Sequence, residues 1–486
     1  MGERQMNLWE FIYPMKRITK PIRLIELFAG IGSQFKALKV LTQNVESYKI
    51  CEWAYNSYCS YNAIHIKDYK DYSNGLTKEQ LIKKVKGTSL NYNEPLTDKQ
   101  LASKPLEWLK NAYNNIVATH NLVNIMEING KDLEIVDTDK YEYIMTYSFP
   151  CQDLSLAGKR LGMGVSQSKG GTRSGLLWEV ERILDELENK PQILLMENVP
   201  EVIGEKNIED FHKWENKLEE LGYKNYVEIL NAKDYGIPQN RKRCFMVSVL
   251  GEYAYNFAEK QKLHLKLKDM LEEQVDEKYY LSKKQINQIS QWNSYESQYS
   301  LKNLNETLKK NEDIQDGDFI DGYNRNIKKN VAGAITTGVS SRNNTFIVIK
   351  DDTKRYKNYL TWKNKKGEFN TQCNRAMLEN DLSLTIPTGN TPKVAEGEQL
   401  RIRKLTPLEC MRLMGFGNQD YKAMREINMS DMAIYHMAGD SIVVCVLIAI
   451  FYPLLFNDNN YKEIIKNYIA KEIVEKENRK WQVKKH

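Results

Sequence analysis

The stretch IRLIELFAGIGSQFKAL, residues 22–38, contains the pattern that decides the fold. Its first part, residues 22–28, is a mostly apolar run typical of a buried strand. Gly30 and Gly32 follow one residue apart, so the backbone can turn tightly there and approach a ligand closely. Phe35 occupies the position of the third glycine in the dinucleotide-binding fingerprint. The stretch therefore predicts a strand, a turn and a helix, and it leaves open whether the turn binds a cofactor.

Four more apolar stretches have the length and composition of buried strands. They are residues 48–53, 141–148, 192–198 and 243–250. Helical patterns, such as that of residues 174–188, lie between them. Alternation of this kind predicts an α/β fold with a doubly wound, mostly parallel sheet and helices on both faces. In such folds ligands bind beyond the carboxyl ends of the strands, so the functional residues are expected there.

Three long segments differ from this pattern. Residues 66–128 are polar and rich in lysine, and they predict an inserted helical excursion with an amphipathic helix over 106–123. Residues 253–318 are charged, and we expect them to be helical. Residues 321–375 carry 12 Lys and Arg against 4 Asp and Glu, with aromatic side chains between them. Short β-type runs broken by Gly, Asn and Ser predict a second, smaller β-rich domain in this part.

The C-terminal part is predicted to return to helix. Residues 405–414 fit a helix with Thr406 as its N-cap and Pro407 at the first helical position. Residues 442–456 form an apolar run that is short of the roughly 20 residues needed to cross a bilayer. We interpret it as a buried helix or strand. The charged stretch 462–485 is predicted to be a solvated terminal helix.

Length and composition limit the class of protein. A chain of 486 residues with 41% hydrophobic and 28% charged residues predicts two or three globular domains. The net charge of +6 permits a polyanionic partner without requiring one. Seven scattered cysteines without a CxxC pair argue against a disulfide framework and against a zinc site. No leader-like apolar segment opens the sequence, so we expect a cytoplasmic protein that does not bind a membrane. We also expect no bound metal, because of the cysteine pattern.

Polar and reactive side chains follow several of the predicted strands. In chain order they are Glu52, Trp53, Cys151, Glu197, Arg241 and Arg243. Glu52 lies about 20 residues beyond the glycines, where a carboxylate can bind ribose hydroxyls, although a surface carboxylate is equally compatible. A buried structural role is the commoner fate of a lone cysteine such as Cys151. Taken singly, the two arginines are better explained as side chains on a solvent-exposed surface.

These residues occur together with a set of motifs that resembles the DNA (cytosine-5)-methyltransferase family. The motifs appear in the family's order and cover about residues 22–250 and 400–456. They are Phe28-Ala29-Gly30-Ile31-Gly32, Pro150-Cys151-Gln152, Glu197-Asn198-Val199, Gln239-x-Arg241-x-Arg243 and Arg403-Lys404-Leu405-Thr406-Pro407-x-Glu409-x-x-Arg412. The segment between the two covered parts occupies the position of the family's target-recognition domain.

The resemblance implies a mechanism. Carbon 5 of cytosine is too weak a nucleophile to attack a sulfonium methyl group, and addition of a thiolate at carbon 6 activates it. Cys151 is the implied nucleophile. Glu197 would engage N3 and the amino group of the base, and Arg241 and Arg243 would supply a cationic neighbourhood and hold the base. The target cytosine must be flipped out of the duplex to reach these groups.

The resemblance also implies S-adenosyl-L-methionine as the methyl donor, with no metal. The implied contacts are Phe28, Ala29, Gly30, Gly32, Glu52, Trp53, Asp132, Pro150, Leu176, Asp440 and Ser441. The family usually has asparagine at the position of Asp440, where a carboxylate would face the zwitterionic amino acid of the donor. Asp132 would accept a hydrogen bond from the exocyclic amine of adenine.

The expected architecture has a catalytic methyltransferase domain of residues 1–251 plus 396–486 and a target-recognition domain of residues 252–395. Duplex DNA is the expected partner of a monomer. A cognate restriction endonuclease would act on the same DNA site without binding the protein. One alternative is a cytosine-5 methyltransferase acting on transfer RNA, but the basic aromatic segment 321–375 favours duplex DNA. Another is a catalytically inactive DNA-binding module, which the retained thiol, carboxylate and arginines disfavour.

Overall fold

The fold is described from a computed structural model. It covers residues 13–150, 173–282, 284–285, 316–321, 326–335, 346–350 and 400–473. Cys151 and most of the basic segment 321–375 lie outside the described residues.

The larger sheet has six strands, and it confirms the mostly parallel α/β fold. The strands are β1 (Ile22–Leu27), β2 (Val45–Cys51), β3 (Glu142–Tyr147), β4 (Ile193–Asn198), β5 (Tyr223–Asn231) and β6 (Lys242–Leu250). Their order is β2-β1-β3-β4-β6-β5. The first four strands pair in parallel, whereas β6 runs antiparallel to both β4 and β5. The carboxyl ends of β1, β2, β3 and β4 therefore meet at one edge.

One strand of this sheet was not predicted from the sequence. The segment YKNYVEILN of β5 lies at the sheet edge, and most of its side chains are only half-buried. An edge strand needs no continuous apolar run, since one side of it faces solvent. Because the composition of β5 is polar, no strand was predicted there.

Twelve α-helices lie wholly in the part of the chain that the structure describes. They are α1 (Ser33–Leu41), α2 (Tyr55–Tyr61), α3 (Lys78–Lys84), α4 (Asp98–Ala102), α5 (Leu106–Ala118), α6 (Leu177–Glu186), α7 (Ile208–Glu220), α8 (Pro407–Leu413), α9 (Asn418–Glu426), α10 (Asp431–Asp440), α11 (Val444–Leu455) and α12 (Tyr461–Tyr468). Thr406 caps α8, as predicted, because its hydroxyl accepts a hydrogen bond from the Glu409 amide while Pro407 occupies the first turn.

Alternating side chains of the central strands divide between two hydrophobic cores. Leu24 and Ile144 belong to one core, which also includes side chains of α1 and α11. Ile25 and Met145 belong to the other core, together with side chains of α6 and α7. Since successive strand residues point to opposite faces, the helices cover both faces of the sheet.

The apolar run 442–456 forms the buried helix α11, which packs on α1. By length and composition, the stretch Asp431–Leu455 could cross a membrane, but 83% of its apolar window is buried inside the protein. Core helices of globular proteins have the same composition. The helix also accommodates Pro453, whose carbonyl accepts a hydrogen bond from Arg17.

The helix predicted over 253–318 was wrong for residues 253–282, whereas the predicted terminal helix is present as α12 but is not fully solvated. Within 253–282 the structure contains only the short 3-10 turns Leu267–Met270 and Glu277–Tyr279. Alternate residues of the sequence LHLKL are apolar there, and this spacing favours extended chain. The terminal helix is not solvated over its first part, because Ile465 and Tyr468 of α12 are buried and the Tyr468 hydroxyl donates to the Gly415 carbonyl. Residues beyond 473 lie outside the described part.

The segment 66–128 forms the expected helical excursion, α3 to α5, packed on α2. Helix α5 ends at Ala118, earlier than predicted, because His120 and Val123 adopt left-handed backbone angles.

A smaller antiparallel sheet has the order β10-β9-β7-β8. Its strands are β7 (Phe319–Asp321), β8 (Asn326–Lys328), β9 (Phe346–Lys350) and β10 (Leu400–Lys404). Strand β10 belongs to this sheet, although the predicted boundary at residue 396 assigns it to the catalytic part. The domain boundaries themselves remain a prediction.

Candidate active site

A cavity of about 200 Å³ opens at the carboxyl ends of the parallel strands. This is the edge at which ligands bind in doubly wound sheets. Ten of the predicted site residues line it: Phe28, Gly30, Glu52, Trp53, Pro150, Leu176, Glu197, Arg241, Arg243 and Asp440. The fold thus brings together side chains that are as much as about 400 positions apart in the sequence. Cys151 lies outside the described residues, directly after Pro150 of the lining.

Four predicted residues do not line this cavity. Ala29 is buried beside it, and Ser441 is buried with its hydroxyl donating to the Met437 carbonyl. Gly32 is required for packing, since a Cβ there would lie 2.6 Å from His65 Nε2 and from a ring carbon of Tyr61. These positions support the walls of the cavity from behind.

The fourth, Asp132, stabilises a local turn. Its Oδ2 accepts a hydrogen bond from the Asn129 amide at 2.8 Å and so caps the 3-10 helix Gly130–Leu133. Asn124 and Ile125 line the cavity instead. The amide oxygen of Asn124 accepts from the Met126 amide, and its Nδ2 donates to Glu127. The only sequence signal for Asn124 is one polar residue inside the apolar run LVNIM.

The turn after β1 forms one wall of the cavity. Phe28 and Gly30 both have left-handed backbone angles, with φ of 61° and 55°. A Cβ added to Gly30 would meet nothing within 4 Å, so this backbone faces open space. The Gly30 amide donates to Glu52 Oε2 at 2.9 Å. The wall therefore combines exposed backbone with a carboxylate held in a defined position.

Glu52 is fixed by two backbone donors. Its Oε1 accepts from the Ala54 amide at 2.7 Å, in addition to the bond between Oε2 and Gly30. Burial raises the pKa of Glu52 to about 7, and the negative charge of Asp440 adds to this effect. The two backbone bonds and His436 oppose the rise. Each carboxylate oxygen retains a lone pair that can accept a hydroxyl donor from a ligand.

Glu197 and Arg243 form an ion pair in the cavity wall. Glu197 lies near the end of β4 and Arg243 on β6, and Arg243 Nε is 3.1 Å from Glu197 Oε1. Burial raises the pKa of Glu197 above its ordinary value, while Arg243 and Arg241 act in the opposite direction. A buried carboxyl group with a raised pKa is suited to donating a proton.

Arg241 binds the backbone of two distant segments of the chain. Its guanidinium donates to the Ile335 carbonyl at 2.7 Å and to the carbonyls of Gly439 and Ser441 at 3.0 and 2.9 Å. Ile335 follows the smaller sheet's β8, and Gly439 and Ser441 flank Asp440 at the end of α10. Arg241 thereby fixes the cavity wall, a positioning role that the motif alone did not predict.

Comparisons with known proteins identify the family of the chain. The model of the family described as C-5 cytosine-specific DNA methylase matches residues 76–455. The chain is 37% identical over 300 residues to the orphan methyltransferase M.SssI of Spiroplasma monobiae, a match that covers 59% of this chain and 73% of the relative. It is 39% identical over 272 residues to the type II methyltransferase M2.ScrFI of Lactococcus lactis, covering 54% and 71%.

Solved structures support the same fold. The Entamoeba histolytica methyltransferase EhMeth aligns with a TM-score of 0.52 at 15% identity, covering 90% of this chain and 98% of its own. The S. pombe Dnmt2 methyltransferase aligns with a TM-score of 0.50 at 16% identity, covering 89% and 97%. The family match extends over most of the chain and includes β3, β4, β6 and α10 of the cavity, whereas β1 and β2 precede it. The protein is a member of the C-5 cytosine-specific DNA methylase family.

Proposed function

We propose that the protein transfers a methyl group from S-adenosyl-L-methionine to carbon 5 of a cytosine flipped out of a specific duplex DNA sequence, with Cys151 as the nucleophile. The observation that carries this proposal is the shared cavity. The ion pair of Glu197 and Arg243 opens on the same space as Glu52 and Pro150, and the next residue is Cys151. A base site and a cofactor site thus adjoin, as methyl transfer between two bound molecules requires.

The residues of the cavity fit the proposed cofactor. Glu52 keeps lone pairs for ribose hydroxyls, Trp53 and Phe28 provide aromatic surface for an adenine ring, and Gly30 leaves room for a ligand. Bound there, S-adenosyl-L-methionine would supply an electrophilic methyl group. No group of three or more His, Cys, Asp or Glu side chains suited to hold a metal occurs among the described residues.

On the base side, each protein group has a defined task in the proposal. The Cys151 thiolate adds to carbon 6, and Glu197 donates a proton to N3 as electron density moves toward carbon 5. Arg243 keeps Glu197 in place through the 3.1 Å ion pair. Methyl transfer to carbon 5 leaves S-adenosylhomocysteine. Carbon 5 then loses its proton to water, the electron pair of that C–H bond expels the Cys151 thiolate from carbon 6, and N3 returns its proton to Glu197.

The substrate is tested by methyl transfer with tritium-labelled S-adenosyl-L-methionine. We expect label on unmethylated duplex DNA and none on transfer RNA, because the chain has the long basic segment 321–375 between the two parts that carry the family's motifs. Bisulfite sequencing of the product would identify the target sequence. Transfer to transfer RNA alone would favour the RNA alternative. Cofactor and DNA binding without any transfer would favour an inactive binding module.

Cofactor affinity is expected to depend on pH through Glu52. Its pKa of about 7 means that the carboxylate, the form that accepts two hydroxyl donors, becomes predominant as the pH rises through neutrality. Affinity for S-adenosyl-L-methionine should therefore increase about tenfold between about pH 6 and pH 8. Glu52→Gln should bind more weakly and lose most of this dependence, as measured by isothermal titration calorimetry. An unchanged pH profile in the variant would show that another group is responsible.

A further inference from the structure

The inserted segment 66–128 contributes an aromatic side chain to the cofactor cavity. Tyr92 of this segment stacks on His436 of α10, with ring centroids 3.7 Å apart and an angle of 14° between the ring planes. Both residues line the cavity. Tyr92 has a φ of 63°, a left-handed angle that is rare for an aromatic residue and costs conformational energy. Tertiary contacts must therefore hold it in this position.

His436 in turn contacts Asp440 one helical turn later. Its Nδ1 lies 3.0 Å from Asp440 Oδ2, an electrostatic contact without well-aligned hydrogen-bond geometry. The backbone on both sides of Asp440 is fixed, because Arg241 binds the carbonyls of Gly439 and Ser441. The side chain of Asp440 remains 53% exposed, so a ligand in the cavity can approach it.

Three carboxyl groups, those of Glu52, Glu197 and Asp440, line the cavity. Asp440 contributes to the raised pKa values of both Glu52 and Glu197, so its carboxylate acts on the cofactor side and on the base side. The cations of the cavity wall are already engaged. Arg243 pairs with Glu197, and Arg241 donates to three carbonyls. A positive charge on a ligand would therefore be favoured close to Asp440.

We propose that Tyr92, His436 and Asp440 form a charge-selective wall of the cofactor cavity. Tyr92 and His436 close this side of the cavity against water, and Asp440 favours the positively charged sulfonium donor over its uncharged thioether product. S-Adenosyl-L-methionine carries one more positive charge than S-adenosylhomocysteine, and transfer of the methyl group removes that charge. The wall would thus help the product to leave. This inference rests on the proposed cofactor, and it assigns a role to the inserted segment.

Binding measured by calorimetry on the full-length chain tests the charge effect. The ligands are S-adenosyl-L-methionine, S-adenosylhomocysteine and an analogue in which a protonated amine replaces the sulfonium. Asp440→Asn should weaken the two cationic ligands roughly fivefold and change the thioether less than about twofold. Asp440→Glu should keep the preference. Glu426→Gln, which removes a carboxylate from an exposed position on α9, is the control and should change neither affinity.

The same assay tests the aromatic wall. Tyr92→Ala should weaken all three ligands by a similar factor, about fivefold, because water enters the cavity, whereas Tyr92→Phe keeps the ring and should bind as wild type does. An unchanged ratio of donor to product affinity in Asp440→Asn would overturn the charge role, and equal affinities for Tyr92→Ala and Tyr92→Phe would overturn the wall. Failure of the wild-type chain to bind any of the ligands would instead contradict the proposed cofactor.

Discussion

Replacing Cys151 with alanine is expected to abolish methyl transfer to DNA, lowering kcat by at least about 10⁴-fold. Without the thiolate, carbon 6 receives no nucleophile and carbon 5 stays too electron-poor to accept a methyl group. Tritium transfer from labelled donor to unmethylated duplex DNA measures the loss. Binding of the donor should be unchanged within about twofold, because the cofactor contacts proposed for Glu52, Trp53 and Phe28 do not involve the thiol.

Cys51→Ala is the matched control for this experiment. Cys51 also lines the cavity, but burial, together with the neighbouring charge of Glu52, raises the pKa of its thiol far above the ordinary range. It is therefore protonated at neutral pH and unsuited to attack a base. We expect Cys51→Ala to retain activity within a few-fold. Activity in Cys151→Ala, or equal loss in both variants, would exclude Cys151 as the nucleophile.

Glu197→Gln is expected to lower kcat about 10²- to 10³-fold with little change in cofactor affinity. Glutamine has nearly the same shape and can still hydrogen-bond to the base, but it cannot transfer a proton to N3. The substitution also removes the ionic partner of Arg243, which lies 3.1 Å away in the wild-type protein. Steady-state kinetics with saturating DNA and varied donor concentration separate the effect on kcat from the effect on KM.

Glu52→Gln provides the contrast to Glu197→Gln. Both residues are carboxyl groups of the same cavity with pKa values raised mainly by burial, and both substitutions remove one ionisable group. If Glu52 contacts the cofactor and Glu197 contacts the base, as proposed, Glu52→Gln should raise the KM for the methyl donor more than it lowers kcat. Similar kinetic changes in both variants would mean that Glu197 acts on the cofactor or on the fold rather than on the base.

Local patterns in the chain were sufficient to predict most of the large sheet. We could recognise the apolar run of β4 and the glycine turn after β1 in the sequence, because a buried strand needs continuous hydrophobic residues and a tight turn needs glycine. The cap formed by Thr406 and Pro407 was predicted for the same reason, since its hydrogen bonds span only three residues. The edge strand β5 lacked such a signal, and the helix α12 was predicted without its docking on the protein.

Some residues of the site could likewise be predicted from the sequence, and others could not. Glu52, Glu197 and Arg243 follow or lie in strands that the sequence reveals, so their motifs predicted a shared location at one sheet edge. Tyr92 and Asn124 belong to stretches without a recognisable pattern, and Asp132 was expected at the cavity where Asn124 now lies. Spacing along the chain does not define which polar residue of an irregular segment turns inward.

The α/β class, the main strands, the family and the set of reactive side chains could be predicted from the sequence, because each depends on residues close together in the chain or on motifs in a defined order. Only the tertiary structure decided that Arg241 binds backbone of two distant segments and that Tyr92 stacks on His436. Such contacts join residues more than 90 positions apart. Their geometry follows from the packing of whole helices and sheets, which no local pattern encodes.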